Sequence, residues 1–111
     1  MRVGEQRAFH AGGVEHGARV FADEVHAPIV FGGARHVPYA SVSAAASAHS
    51  ITTTSASKAW NLPGAKAAQL ITTNDADEQT WQSIGPMASH GASTLGVIAN
   101  TAAYREGREW L

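Results

Sequence analysis

The run RVFADEVH, Arg19 to His26, constrains the fold more than any other stretch of the chain. Val20, Phe21, Ala22 and Val25 make it nearly continuously apolar, the pattern of a short strand buried on both faces, with its acids gathered at the C-terminal end. Such a strand needs helices over both faces and neighbouring strands on both edges. The 111 residues suffice for one modest core and are too few for two. On these grounds the chain reads as a slice of a larger sheet.

The remaining sequence supplies partners sparingly. Glu5 to Ala18 has apolar residues near helical spacing, but Gly12 and Gly13 each cost about 1 kcal/mol relative to alanine, so the helix is weak and Gly17 ends it. Ala27 to Ser43, with two prolines and the Gly32-Gly33 pair, has the turn chemistry of a surface crossing. A short helix fits SAAASAHS. The β-branched residues of His49 to Ser57 read as a second strand, Pro63 and Gly64 break the chain, and Ala67 to Thr73 reads as a third. Asn74 or Asp75 can cap a helix over Ala76 to Ile84, with Asp77 and Glu78 in its first turn. Ser93 or Thr94 can cap a longer one that offers Leu95, Val97, Ile98, Ala102 and Ala103 as its apolar side and stops at Gly107. Helix, strand, long crossover, strand, strand, helix, helix is an α/β pattern.

Charge excludes several classes of partner. Charged residues make up 15% of the chain against 44% hydrophobic, too little charge for a solvated coil. A net charge of −1 and the lack of any basic run argue against nucleic acid. Without cysteine there is no disulfide framework, thiolate zinc site or cysteine nucleophile. The six histidines show no metal-ligand spacing, so no metal is expected. No apolar run approaches the roughly 20 residues that span a bilayer, and MRVGEQRAF lacks a signal-peptide core. The expectation is a cytoplasmic, soluble protein with no membrane partner.

Against this background Lys58 is conspicuous. The twenty-two residues from His36 to Ser57 hold no Asp, Glu, Lys or Arg, and Lys58 follows them among Ser, Ala and Trp. Desolvation there would disfavour the ammonium and favour a nucleophilic amine able to form a Schiff base. A lysine that reaches solvent from a loop before Pro63 fits the same residues. Position adds weight: Asp23 ends the first strand 35 residues before Lys58, and both fall where open α/β sheets place their ligands.

FADEVHAPIVFGGARHVPYASVS followed by TTSASKAWNLPGAK resembles the pyridoxal-phosphate enzymes of the class I/II aminotransferase superfamily, and within it the cystathionine β-lyase-like, or cysteine-S-conjugate β-lyase, branch. The likeness runs from about His16 to Leu111 and covers the middle of a family member. It implies a fragment of the three-layer large domain of such enzymes, with about three strands in a mixed sheet and flanking helices. It implies Lys58 as the lysine that joins the cofactor and moves the substrate's α-proton, and Asp23 as the acid that keeps the pyridine nitrogen protonated. Ser55 matches a hydroxyl on the cofactor phosphate, and Lys66 stands where many relatives have a phosphate-binding Arg; lysine supplies the charge without the planar fork. His26 stands where many relatives have a Tyr that bonds the ring hydroxyl, and it suits a structural role equally well.

The resemblance also implies parts that these residues do not supply: an upstream phosphate turn and ring-stacking aromatic, and a C-terminal small domain with an Arg for the substrate carboxylate. Two functions therefore remain open. One is a PLP-dependent C-S β-lyase or aminotransferase acting on amino acids, for which the resemblance implies the family's homodimer, represented by its cofactor-lysine segment. The other is a catalytically inactive fragment or interaction module derived from an aminotransferase.

Overall fold

The computed structural model describes Gly13 and residues 15–111. Three strands form a mixed sheet in the order β1 (Val20–Asp23), β2 (Ser50–Thr54), β3 (Gln69–Thr72). β1 and β2 are parallel, with Val20 opposite Ser50 and Asp23 opposite Thr53. β2 and β3 are antiparallel, with Ile51 opposite Thr72 and Thr54 opposite Gln69. The carboxyl ends of β1 and β2 and the amino end of β3 therefore lie at the same end of the sheet.

A parallel pair needs a crossover, and residues 24–49 make it through a 3₁₀ turn (Tyr39–Ser41) and helix α1 (Ala44–His49). Ser43 caps α1 by accepting the Ala46 N–H at 3.0 Å. Glu24 ties the crossover back to β1: one carboxylate oxygen accepts the Tyr39 N–H at 2.7 Å, and the other lies 3.1 Å from His36 Nε2. Tyr39 is 3% exposed and is the largest side chain of the buried core; burial pushes its phenol pKa up. Its hydroxyl lies 2.9 Å from His49 Nε2.

Three helices complete the described residues: α2 (Ala56–Ala59), α3 (Asp75–Ser89) and α4 (Thr94–Glu106), the last followed by a 3₁₀ turn (Gly107–Trp110). Asn74 caps α3 by accepting the Asp77 N–H at 3.0 Å, and Ser93 caps α4 by accepting the Gly96 N–H at 2.9 Å. Gly107 ends α4, as expected, and it also admits Trp60: a Cβ there would stand 2.4 Å from the indole nitrogen.

The structure departs from the sequence expectations at several points. The second strand stops at Thr54 rather than Ser57, because Ser55 turns its hydroxyl onto the Ser57 N–H and starts a helix instead. The first strand is the shorter Val20–Asp23, and His26 falls in the turn beyond it. Nor is that strand buried on both faces: Phe21 is 66% exposed, since β1 lies at the sheet edge and no described element covers that side. Helix α3 runs past Ile84 to Ser89 with Pro86 inside it, although a proline there removes one helical hydrogen bond and crowds the preceding turn.

Of the five apolar residues expected to face inward, helix α4 buries only Ala103. Gly96, Asn100 and Ala103 are buried, whereas Leu95, Val97 and Ile98 are 77%, 51% and 60% exposed. Gly96 allows this: a Cβ there would stand 1.8 Å from the Ala65 carbonyl oxygen, so only glycine lets the helix approach that loop. The weak helix expected over Glu5 to Ala18 lies for the most part outside the described residues, though Gly17 sits at φ 62°, as a closing glycine should. Among the described residues no helix is long and apolar enough to cross a membrane.

Candidate cofactor site

The shared end of the sheet opens into a cleft of about 700 Å³, lined from β1 by Asp23, from the end of β2 by Thr53, Thr54 and Ser55, from α2 by Ser57 and Lys58, and from the lead-in to β3 by Lys66. The register brings Asp23 there, since it pairs with Thr53, immediately before the turn into α2. Trp81 also lines the cleft from α3. One carboxylate, two ammonium groups and several hydroxyls thus converge on one hollow.

Lys58 sits on a helix of one turn. Ser55 caps that turn at 3.0 Å to the Ser57 N–H, and the side chain of Asn100 accepts the Ala56 N–H at 2.7 Å. Trp110 donates its indole N–H to the Ala59 carbonyl at 3.1 Å, and Trp60, just after the helix, packs edge-on against Tyr104 with ring centres 4.8 Å apart. The lysine itself is exposed to the cleft. The desolvation expected from its uncharged neighbours is thus not in place among the described residues, because buried Ala56 and Ala59 point into the protein while Lys58 points out of it.

Ser55 lines the same cleft but is only 4% exposed, and its hydroxyl donates to the Ala67 carbonyl at 2.7 Å. That proton is already engaged. Ser57, one residue before the lysine and half-buried, lines the cleft as well and was not singled out by sequence; alternation of Ser with the lysine was the only available signal. Lys66 adopts a left-handed backbone at φ 43°, held by the Ser93 N–H, which donates to the Lys66 carbonyl at 3.1 Å. His26 is set apart: it lines a smaller hollow of about 320 Å³ with Glu24, His36 and Tyr39, and of the expected site residues only Asp23 borders both.

The sequence model for class I and II aminotransferases matches residues 13–109. The chain belongs to that family. Cystathionine β-lyase of Corynebacterium glutamicum is 43% identical over 97 residues, which are 87% of this chain and 26% of that protein. A solved structure described as a PLP-dependent β-cystathionase from Corynebacterium diphtheriae superposes with a TM-score of 0.92 at 43% identity, over 99% of this chain and 29% of that one. The PLP-bound C-S lyase of Staphylococcus hominis superposes with a TM-score of 0.81 at 28% identity, over 99% of this chain and 27% of its own. The chain therefore spans about a quarter of the length of the curated relatives it matches.

The donor set in the cleft suits pyridoxal phosphate. An amine is available for its aldehyde, a carboxylate for its protonated ring nitrogen, and an ammonium with hydroxyls for its phosphate.

Proposed function

We propose that this chain carries the cofactor-lysine segment of a PLP-dependent C-S β-lyase, whose substrates are amino acids with a sulfur leaving group on the β-carbon. The single observation behind this is the convergence of Asp23, Lys58 and Lys66 on one cleft at the shared end of three strands. Bound there, pyridoxal phosphate would serve as the sink for the electrons left on the substrate's α-carbon.

The chain's own residues then have distinct tasks. Lys58 Nζ is the point of covalent attachment and, once released, the base that takes the α-proton; its exposure to the cleft gives it access to both. The Asp23 carboxylate would hold the ring nitrogen of the bound cofactor and favour its protonated form. Lys66 supplies charge to the phosphate from a backbone clamped by Ser93. Ser57 is the better placed hydroxyl donor for that phosphate, with Ser55 acting through the helix it caps. His26 lines the neighbouring hollow and not the cleft, so its role at the ring hydroxyl ranks below the others. Elimination would release a thiol, and the remaining enamine would hydrolyse to ammonia and a 2-oxo acid. A family-type homodimer is part of this proposal.

Titration with pyridoxal phosphate, followed by visible absorbance, tests it. Saturable uptake that disappears in Lys58→Ala supports the assignment; a folded sample with no uptake contradicts it.

A second function, a non-catalytic module that docks on another protein, draws on the exposure of Phe21, Leu95, Val97 and Ile98. Sedimentation as a complex with a full-length family member, together with failure to take up the cofactor, would favour it.

A further inference from the structure

We propose that Asn100 is a positioning residue for Lys58; the role given to Lys58 rests on the cofactor function proposed above. Helix α2 has four residues, and a single turn fixes many dihedral angles for very few hydrogen bonds, so it must be held from outside. Its first N–H, that of Ala56, has no acceptor within the turn. Ala56 is 0% exposed, which excludes water as a substitute. Asn100 Oδ1 accepts that N–H at 2.7 Å from 44 residues further along the chain.

The same side chain faces two other elements. Asn100 Nδ2 donates to the Gly96 carbonyl of its own helix at 3.1 Å and to the Ala67 carbonyl at 3.3 Å. The Ala67 carbonyl also receives the Ser55 hydroxyl at 2.7 Å, and Ala67 follows Lys66 directly. One amide, 2% exposed, thereby fixes the start of the lysine helix relative to α4 and to the backbone that carries the second lysine. An apolar residue of the same size would fill the space and leave the Ala56 N–H buried without a partner. The polar residue sits on the inward side of α4 for this reason, while Val97 and Ile98 face out.

The two lysines of the chain, Lys58 and Lys66, provide an internal readout. After incubation with pyridoxal phosphate and borohydride reduction, the ratio of pyridoxyl label on the two reports how well Lys58 is presented. The unsubstituted chain is expected to favour Lys58 by at least about tenfold. Asn100→Ala should bring the ratio close to parity, whereas Ala103→Gly, which loosens the same helix at another buried position, should leave the preference in place. Retention of the preference in Asn100→Ala, or an equal loss in Ala103→Gly, overturns the proposal. Amide exchange on the unsubstituted chain decides the matter if Asn100→Ala fails to fold. The Ala56 amide should be protected at least about tenfold despite opening a helix, and exchange at the free-chain rate overturns the proposal. A protected Ala56 in a chain that shows no label on either lysine would support the tie and count against the cofactor function alone.

Discussion

Ser55 donates its hydroxyl proton to the Ala67 carbonyl 2.7 Å away and accepts the Ser57 N–H at 3.0 Å. The hydroxyl that the lysine motif assigns to the cofactor phosphate is thus committed to the backbone around Lys58. Ser55→Ala is expected to cost about 1 kcal/mol through the lost cap, seen as a lower urea midpoint, with a smaller loss of pyridoxal phosphate affinity than Ser57→Ala produces. A large affinity loss with an unchanged midpoint would put the Ser55 hydroxyl on the phosphate instead.

Gly96 allows α4 to meet the loop before Lys66, where an added Cβ would stand 1.8 Å from the Ala65 oxygen. Gly96→Ala should destabilise the chain by about 3 kcal/mol, the upper range for overpacking. Thermal unfolding measures it. Exposed Gly64, with open space at its Cβ, provides the control substitution to alanine.

Lys66 combines a charge with a left-handed backbone at φ 43°. Lys66→Gly and Lys66→Ala should weaken phosphate binding alike, but the glycine variant should be more stable than the alanine variant by about 1 kcal/mol, because only alanine keeps the steric cost of that conformation. Paired denaturation curves and inorganic phosphate competition separate the two effects.

Asp77 is held below the ordinary carboxylate value first by the hydrogen bond from Arg19, then by that from Asn74. A depressed folded value means that its contribution to stability is complete above the unfolded value, near 3.8, and is lost as pH falls from there through the folded value. Urea midpoints measured from neutral pH downward should therefore fall in that acid window, and Asp77→Asn should flatten the fall. Because the pair joins the start of β1 to the first turn of α3, Arg19→Ala should flatten it as well.

The elements that depend on local signals were legible in the sequence. Asn74 and Ser93 cap helices where the sequence offered them, a short helix forms within SAAASAHS, and the three strands were found in order. The inward side of α4 was not legible, because hydrophobic periodicity points to Leu95, Val97 and Ile98 and cannot register that Asn100 has backbone partners 33 and 44 residues away. At the site, Asp23 and Lys58 were legible through their spacing and Lys66 through the motif, and all three line the cleft. The engagement of Ser55 was not, since it depends on where the Ala67 carbonyl falls after the break at Pro63. His26 was placed by analogy with a tyrosine, whereas the turn after β1 carries it into the neighbouring hollow.

The most direct measurement is peptide mapping of the chain after pyridoxal phosphate and borohydride. A pyridoxyl group on Lys58, absent in Lys58→Ala and reduced by inorganic phosphate, is the expected result. Equal labelling of Lys58 and Lys66, or none in a folded chain, would contradict the cofactor site.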